Sequence, residues 1–316
     1  MASSVRPYSR YLPPPLSDFT GTLNVLTQIP RCFCLLHSPH GCAEFYDDDL
    51  TAFAFESDSV ASVDLDQHSV IHGAEERVEQ ALLCVDRELG PRVIALVASP
   101  VSALIGTDLE GVARKVAGRI RAKIAVFPSG GIKGDWWEGE RDVYAWFARE
   151  IVEPPVAGAS GVNLIGASYS IYNWRSDSRE IHRTLEGLGI PVIANFSIEA
   201  TLDDIARAGT ASLSLVLDAA GLAAARILEE RFGIPFLAGL PFGLRGTEAW
   251  LARLGALIGV DPEPFLRGER RRFLPPLRRI ADVEHDHLAN RYETFTATVM
   301  GNGVYSEGLA RFLHAD

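Results

Sequence analysis

An α/β fold of tandem doubly wound units, each built on a parallel sheet, is predicted by two features of this 316-residue chain. Short, almost wholly apolar runs rich in Val, Ile and Leu recur from residue 32 to residue 237, and segments with helical apolar spacing separate them. Strands buried on both faces read as continuous apolar runs, and their alternation with helices implies crossover connections between parallel neighbours. A third feature divides the chain: the Pro- and Gly-rich stretch at 153–161, EPPVAGASG, reads as a boundary between units.

Taken in order, residues 1–18 are polar and contain Pro13, Pro14 and Pro15, the composition of an extended arm. The first strand is expected at 32–37. Cys32 and Cys34 alternate there with Phe33 and Leu35, so the two cysteines share one face of a core strand. A helix at 75–89 follows, with Cys84 assigned to the core, then a strand at 93–98, a helix at 104–121, a strand at 123–127 and a helix at 140–152. The second unit is expected to hold strands at 162–166, 191–196, 211–217 and 235–237. Its helices are placed at 179–188, 202–208, 219–232 and 247–258. A basic helix at 267–279 comes next. The domain limits are 1–157, 158–270 and 271–316.

Composition excludes several functions. With 30 Lys and Arg against 41 Asp and Glu the net charge is −11, which argues against nucleic acid as a partner. Four cysteines in 316 residues are too few for a disulfide scaffold. No run approaches the roughly 18 apolar residues needed to span a bilayer. No secretory signal pattern is present, so a cytoplasmic location is expected. The phosphate-loop pattern is also missing, and ATP hydrolysis by this chain is not expected.

The motif with the most chemical content is Cys32-Phe33-Cys34-Leu35-Leu36-His37-Ser38-Pro39-His40-Gly41-Cys42. An apolar strand breaks there into a turn and delivers a cysteine at its carboxyl end, where open α/β sheets place ligands. Read with Leu104-Ile105-Gly106-Thr107-Asp108, it resembles the nitrogenase component 1 superfamily of nitrogenase large subunits, cofactor-assembly scaffolds and dark-operative tetrapyrrole reductases. The resemblance continues in order through 70–76, 91–97, 131–134, 162–166 and 232–236.

That resemblance implies tandem Rossmann-like units, with a third unit that begins at 291–299 and is truncated. It also implies an iron–sulfur cluster held between paired subunits, with up to three cysteine ligands from each. Cys42 corresponds to the middle ligand position, while the outer two fall on Ser17 and Pro100. Proline has no side-chain donor, so this chain cannot cage a cluster alone. The implied solution is a cluster shared with a homologous cysteine-rich subunit, to which this chain gives Cys42. Ser17 and Asp18 are candidate weak oxygen ligands, and His37 and His40 are candidates to orient the turn or hydrogen-bond to cluster sulfurs. Electrons would come from a separate ATP-dependent iron protein docking near residues 104–110. Asp108 and Glu110 belong to that docking surface or simply cap a helix.

The substrate side rests on Gly130-Gly131-Ile132-Lys133-Gly134-Asp135-Trp136-Trp137, whose counterpart in the family approaches the substrate cavity. Trp136 and Trp137 suit a flat apolar wall for a macrocycle, Lys133 is a further substrate-binding candidate, and Asp135 or Glu138 is the candidate proton donor. The tryptophans equally suit an interface plug. The expected function is a nitrogenase-like reductase subunit. Two further readings stay open: a scaffold or carrier for a metal cluster or tetrapyrrole, and a degenerate homologue without a cluster.

Overall fold

The apolar runs form two four-stranded parallel sheets with one topology. The computed structural model describes residues 17–41, 59–128, 130–132, 134–156, 160–168, 174–289, 299 and 303–315. The first sheet contains β1 (Cys32–His37), β2 (Val60–Ser62), β3 (Val93–Ala98) and β4 (Lys123–Phe127), in the spatial order β2-β1-β3-β4. The second contains β5 (Val162–Ile165), β6 (Val192–Asn195), β7 (Leu213–Val216) and β8 (Phe236–Ala238), in the order β6-β5-β7-β8. In each sheet the chain steps from its first strand to one side, then returns to add the remaining two on the other. β1, β3, β5 and β7 are buried along their whole length, as central strands covered by helices on both faces must be.

Two compact units result. The first takes the chain up to Phe147 together with Glu199–Leu202, and the second takes Ala148–Ile198 and Asp203–Asp316. In the first, α1 (Asp18–Leu26), α2 (Gln67–His72), α3 (Glu75–Glu88), α4 (Pro100–Ile105), α5 (Leu109–Val116) and α6 (Trp136–Glu150) surround or extend from the sheet. Val78, Leu82 and Val85 of α3 pack with Phe33, Leu35, Ile94 and Leu96 in one core cluster. Cys84 falls off that stripe and is exposed, which corrects its assignment to the core. Buried Glu79 accepts from Lys115 at 2.5 Å and from Arg119, tying α3 to α5 and the turn after it.

The single helix expected at 104–121 is two. Gly106, at φ 70°, ends α4 in the left-handed region, and Asp108 starts α5 by accepting the Gly111 N–H at 2.8 Å. The polar arm expected through residue 18 ends earlier, because Asp18 already begins α1 behind Ser17, whose N–H donates to Thr20 Oγ1 at 3.3 Å. Residues 1–16 lie outside the described residues.

The second unit holds α7 (Trp174–Gly187), α8 (Leu202–Ala206), α9 (Leu222–Phe232), α10 (Gly243–Ile258), α11 (Glu263–Ala289) and α12 (Gly303–Ala315). Leu164, Leu215, Ile181, Leu251 and Leu254 form its core. Arg183 of α7 makes a forked pair with Glu269 of α11, at 3.1 and 2.5 Å, while its guanidinium lies 5.5 Å over Phe265. The strand expected to open a third unit at 291–299 lies almost wholly outside the described residues. Among the described residues, no helix is long and apolar enough to cross a membrane.

Candidate functional site

The sheet topology marks two places where ligands would sit, the points between β1 and β3 and between β5 and β7 where the connections leave in opposite directions. At the first, β1 ends on His37, in register with Ala98 of β3. The chain bends away here at Ser38 and Pro39, His40 and Gly41 already have helical backbone, and Cys42, the next residue, lies outside the described residues. From β3 the chain enters α4 through Ser99, whose hydroxyl accepts the Ser102 N–H at 3.3 Å. Pro100 takes the first helical position, where a missing N–H costs nothing.

Gly131 joins the pieces of this corner. At φ 78° it turns so that a Cβ on it would lie 3.1 Å from Phe19 Cβ, 3.2 Å from Ser17 Oγ and 3.3 Å from Pro100 Cγ. Ser17 and Pro100, which are 83 positions apart by the difference of their numbers, therefore converge on one glycine. Ser17 also bridges Asp135, and the Asp18 N–H donates to Gly134 O at 3.0 Å. The Asp18 side chain is buried, and burial pushes its carboxyl above the ordinary carboxylate range. The N–H groups of Phe19 and Gly131 oppose that shift, and the charges of Glu138 and Asp142 add to it.

His37 is fully buried, with Nδ1 2.5 Å from Ser102 Oγ and Nε2 without a hydrogen-bond partner. Burial lowers its pKa to about 4, against a smaller upward pull from Glu75, so the ring is neutral near pH 7. It binds β1 to α4 beside Pro100. His40 is exposed.

The described residues of this corner do not by themselves fit an iron–sulfur cluster. They offer a hydroxyl at Ser17, a buried carboxyl at Asp18 and a proline, but no thiolate. Cys32 and Cys34 are locked inside β1, where burial pushes the Cys32 thiol up to about 12 and that of Cys34 well above its ordinary value. Among the described residues no group of three or more His, Cys, Asp or Glu could hold a metal. A cluster here would depend on Cys42 and on ligands from another chain.

Trp136 and Trp137 open α6 and are half-buried, with Arg141 5.7 Å over the Trp137 ring. Glu138 is engaged on both oxygens: Oε2 accepts the Asp135 N–H at 3.0 Å and Oε1 accepts from Arg141 at 3.3 Å. Asp135 is exposed, and Lys133 lies outside the described residues. Asp108 and Glu110 lie on the surface at the start of α5, 3.9 and 3.8 Å from Arg114. Two apolar side chains flank the corner in sequence and face solvent, Leu104 at 77% and Ile132 at 53% exposure.

At the second point Gly166, at φ 88°, turns the chain away from β5 against the backbone of Asp218. A cavity of about 30 Å³ lies here among Gly166, Ser168, Trp174, Asp177 and Leu217, with room for a water or two. Sequence reasoning passed over Trp174 and Asp177. The Ile165-Gly166 step at a strand end was the available signal.

A family model described as "Nitrogenase component 1 type Oxidoreductase" matches residues 17–316. A light-independent protochlorophyllide reductase subunit of Methylobacterium sp. strain 4-46 is 28% identical over 304 residues, covering 94% of this chain and 58% of that protein. The "Nitrogenase iron-molybdenum cofactor biosynthesis protein NifE" of a Nostoc species is 27% identical over 213 residues, covering 66% of this chain and 43% of that protein. The chain thus spans about half the length of these curated relatives. A solved structure of nitrogenase Cp1 at pH 6.5 superposes with a TM-score of 0.71 at 18% identity, over 83% of this chain and 62% of that one, and shows the shared fold.

Proposed function

The chain belongs to the nitrogenase component 1 type oxidoreductase family, and from that premise we propose that it is the ligand-poor subunit of a nitrogenase-like reductase complex. The observation that carries this reading is the corner where Ser17 and Pro100 meet at Gly131, with Ser99, the residue before Pro100, bonded to the His37 carbonyl at the end of β1. By the family resemblance Ser17 and Pro100 stand at two ligand positions, and neither is a thiol in this chain. A homologous cysteine-rich subunit supplies the missing thiolates, and this chain adds Cys42. A cluster held in that way supplies single-electron storage and transfer.

This chain's own residues then have defined tasks. The exposed Leu104 and Ile132 beside the corner suit burial against the partner subunit. His37, neutral and fixed to Ser102, holds the end of β1 against α4 and keeps the turn in place. Asp108 and Glu110 present negative charge toward a separate ATP-dependent iron protein, the electron donor. At the Trp136–Trp137 wall, Glu138 orients the loop through the Asp135 N–H, and the exposed Asp135 is the proton donor. Lys133 contributes to substrate binding on the same loop.

Anaerobic purification of the native complex, with iron and labile-sulfide analysis and identification of every co-purifying chain, tests the proposal. Iron together with a cysteine-rich homologue is the expected result, and Cys42→Ala should lose the iron while its circular dichroism is unchanged. A wild-type iron content in that variant, or a metal-free homomer from the native source, would overturn the shared-cluster assignment.

A further inference from the structure

The short helix α2 carries a histidine pair that neither the cluster corner nor the reductase reading uses. His68 and His72 are four positions apart, so both side chains stand on one helical face, and both are exposed. Their ring centroids are 4.5 Å apart, with the planes tilted by 45°. Among the described residues, no hydrogen bond engages either imidazole.

Six residues make a weak helix by themselves, and this one is fixed at both ends. Asp66 Oδ1 accepts from the Ser69 N–H and hydroxyl, each at 2.7 Å, and Asp66 Oδ2 accepts from Arg77 of α3 at 3.4 Å. Gly73, at φ 94°, closes the other end by donating its N–H to Ser69 O at 3.0 Å. Leu65 and Ala74, on either side of this segment, are buried, and the Leu65 N–H donates to Ser38 O at 2.9 Å. The backbone under the two imidazoles is therefore set before any ligand binds. Its surroundings suit a cation: residues 64–77 hold Asp64, Asp66, Glu75 and Glu76 against Arg77, whose guanidinium is already paired with Asp64 and Asp66.

The ring separation selects the ion. With a metal–nitrogen bond of about 2 Å, an ion stands about 3.2 Å from each ring centroid, so rings about 90° apart around it have centroids about 4.5 Å apart, and rings at the tetrahedral angle about 5.2 Å. The observed 4.5 Å matches the cis arrangement of square-planar or octahedral ions. We propose that His68 and His72 chelate a divalent nickel or copper ion at adjacent corners of its coordination sphere, with water in the remaining positions. Imidazole nitrogen suits both ions, whereas magnesium prefers oxygen. The site uses no residue of the corner at Gly131 and stands apart from the reductase reading.

Calorimetric titration of the untagged full chain with Ni(II) at neutral pH tests it, with Zn(II) and Mg(II) titrated in parallel. Saturable binding of one Ni(II) is expected, weaker for Zn(II) and absent for Mg(II). His68→Asn and His72→Asn, both at exposed positions, should each weaken Ni(II) binding at least tenfold with circular dichroism unchanged, while Cys84→Ser, which removes an exposed thiol, keeps the parent affinity. Ni(II) affinity unchanged in either histidine variant, reduced tenfold by Cys84→Ser, or no tighter than that for Zn(II) would each overturn the assignment, as would the absence of saturable binding.

Discussion

His37 is the last residue of the apolar strand β1 and shares its burial. The ring is fully buried, and its pKa falls from 6.5 to about 4. Between those values the unfolded chain binds a proton that the folded chain does not, so stability rises with pH across that window and is lost as pH falls from about 6.5 toward 4. A depression of this size corresponds to about 3 kcal/mol. Urea midpoints measured from pH 7 to pH 4 should therefore drop less steeply for His37→Gln than for the parent. An equal slope in the two would show that the imidazole is not held neutral. Asp18 titrates in the opposite sense, since burial raises its carboxyl, and the difference between parent and variant isolates His37 from it. The corner itself was half legible. The family spacing singled out Ser17 and Pro100, but their meeting at Gly131 and the His37–Ser102 bond join residues 65 or more positions apart through the sheet, which no local pattern encodes.

Among the elements, legibility followed burial. β1, β3, β5 and β7 are continuous apolar runs because both faces are covered, and they were placed within two residues of their observed limits. Helix α1 was missed, since Asp18, Thr20, Gly21, Thr22 and Asn24 carry weak helix propensity. Tertiary packing makes it a helix: seven of its nine residues are buried. The contact with α6 is glycine-dependent on both sides, for a Cβ on Gly21 would lie 1.8 Å from Trp136 O and one on Gly139 2.0 Å from Asp18 O. These are backbone obstacles that cannot rotate away. Gly21→Ala and Gly139→Ala should each cost about 3 kcal/mol or more in urea unfolding, at the upper end for single substitutions. Gly268, exposed within α11 with nothing within 4 Å, is the converse. There Ala should stabilise by roughly 0.5–1 kcal/mol through helix propensity. A Gly21→Ala midpoint equal to the parent's would mean that α1 does not pack on α6 as described.

At the scale of the whole molecule, one strand order is used twice, and each copy encloses its own core. Leu82, Ile94 and Leu96 belong to one cluster, and Leu164, Leu215 and Leu254 to the other. Chains of this size commonly unfold unit by unit when their cores are separate. The link between units is covalent at Phe147–Ala148 and again around Glu199–Leu202, where three residues after β6 and the first residue of α8 group with the first unit. The five tryptophans report on both copies: Trp136, Trp137 and Trp146 lie in the first unit, Trp174 and Trp250 in the second. With 5-fluorotryptophan incorporated, fluorine NMR through a urea series follows all five without substitution. Gly21→Ala, which strikes only the first unit, should move the Trp136, Trp137 and Trp146 transitions to lower urea while Trp174 and Trp250 keep theirs. If all five resonances shift together, the two cores unfold as one cooperative structure, and the double chain crossing couples them more strongly than separate packing implies.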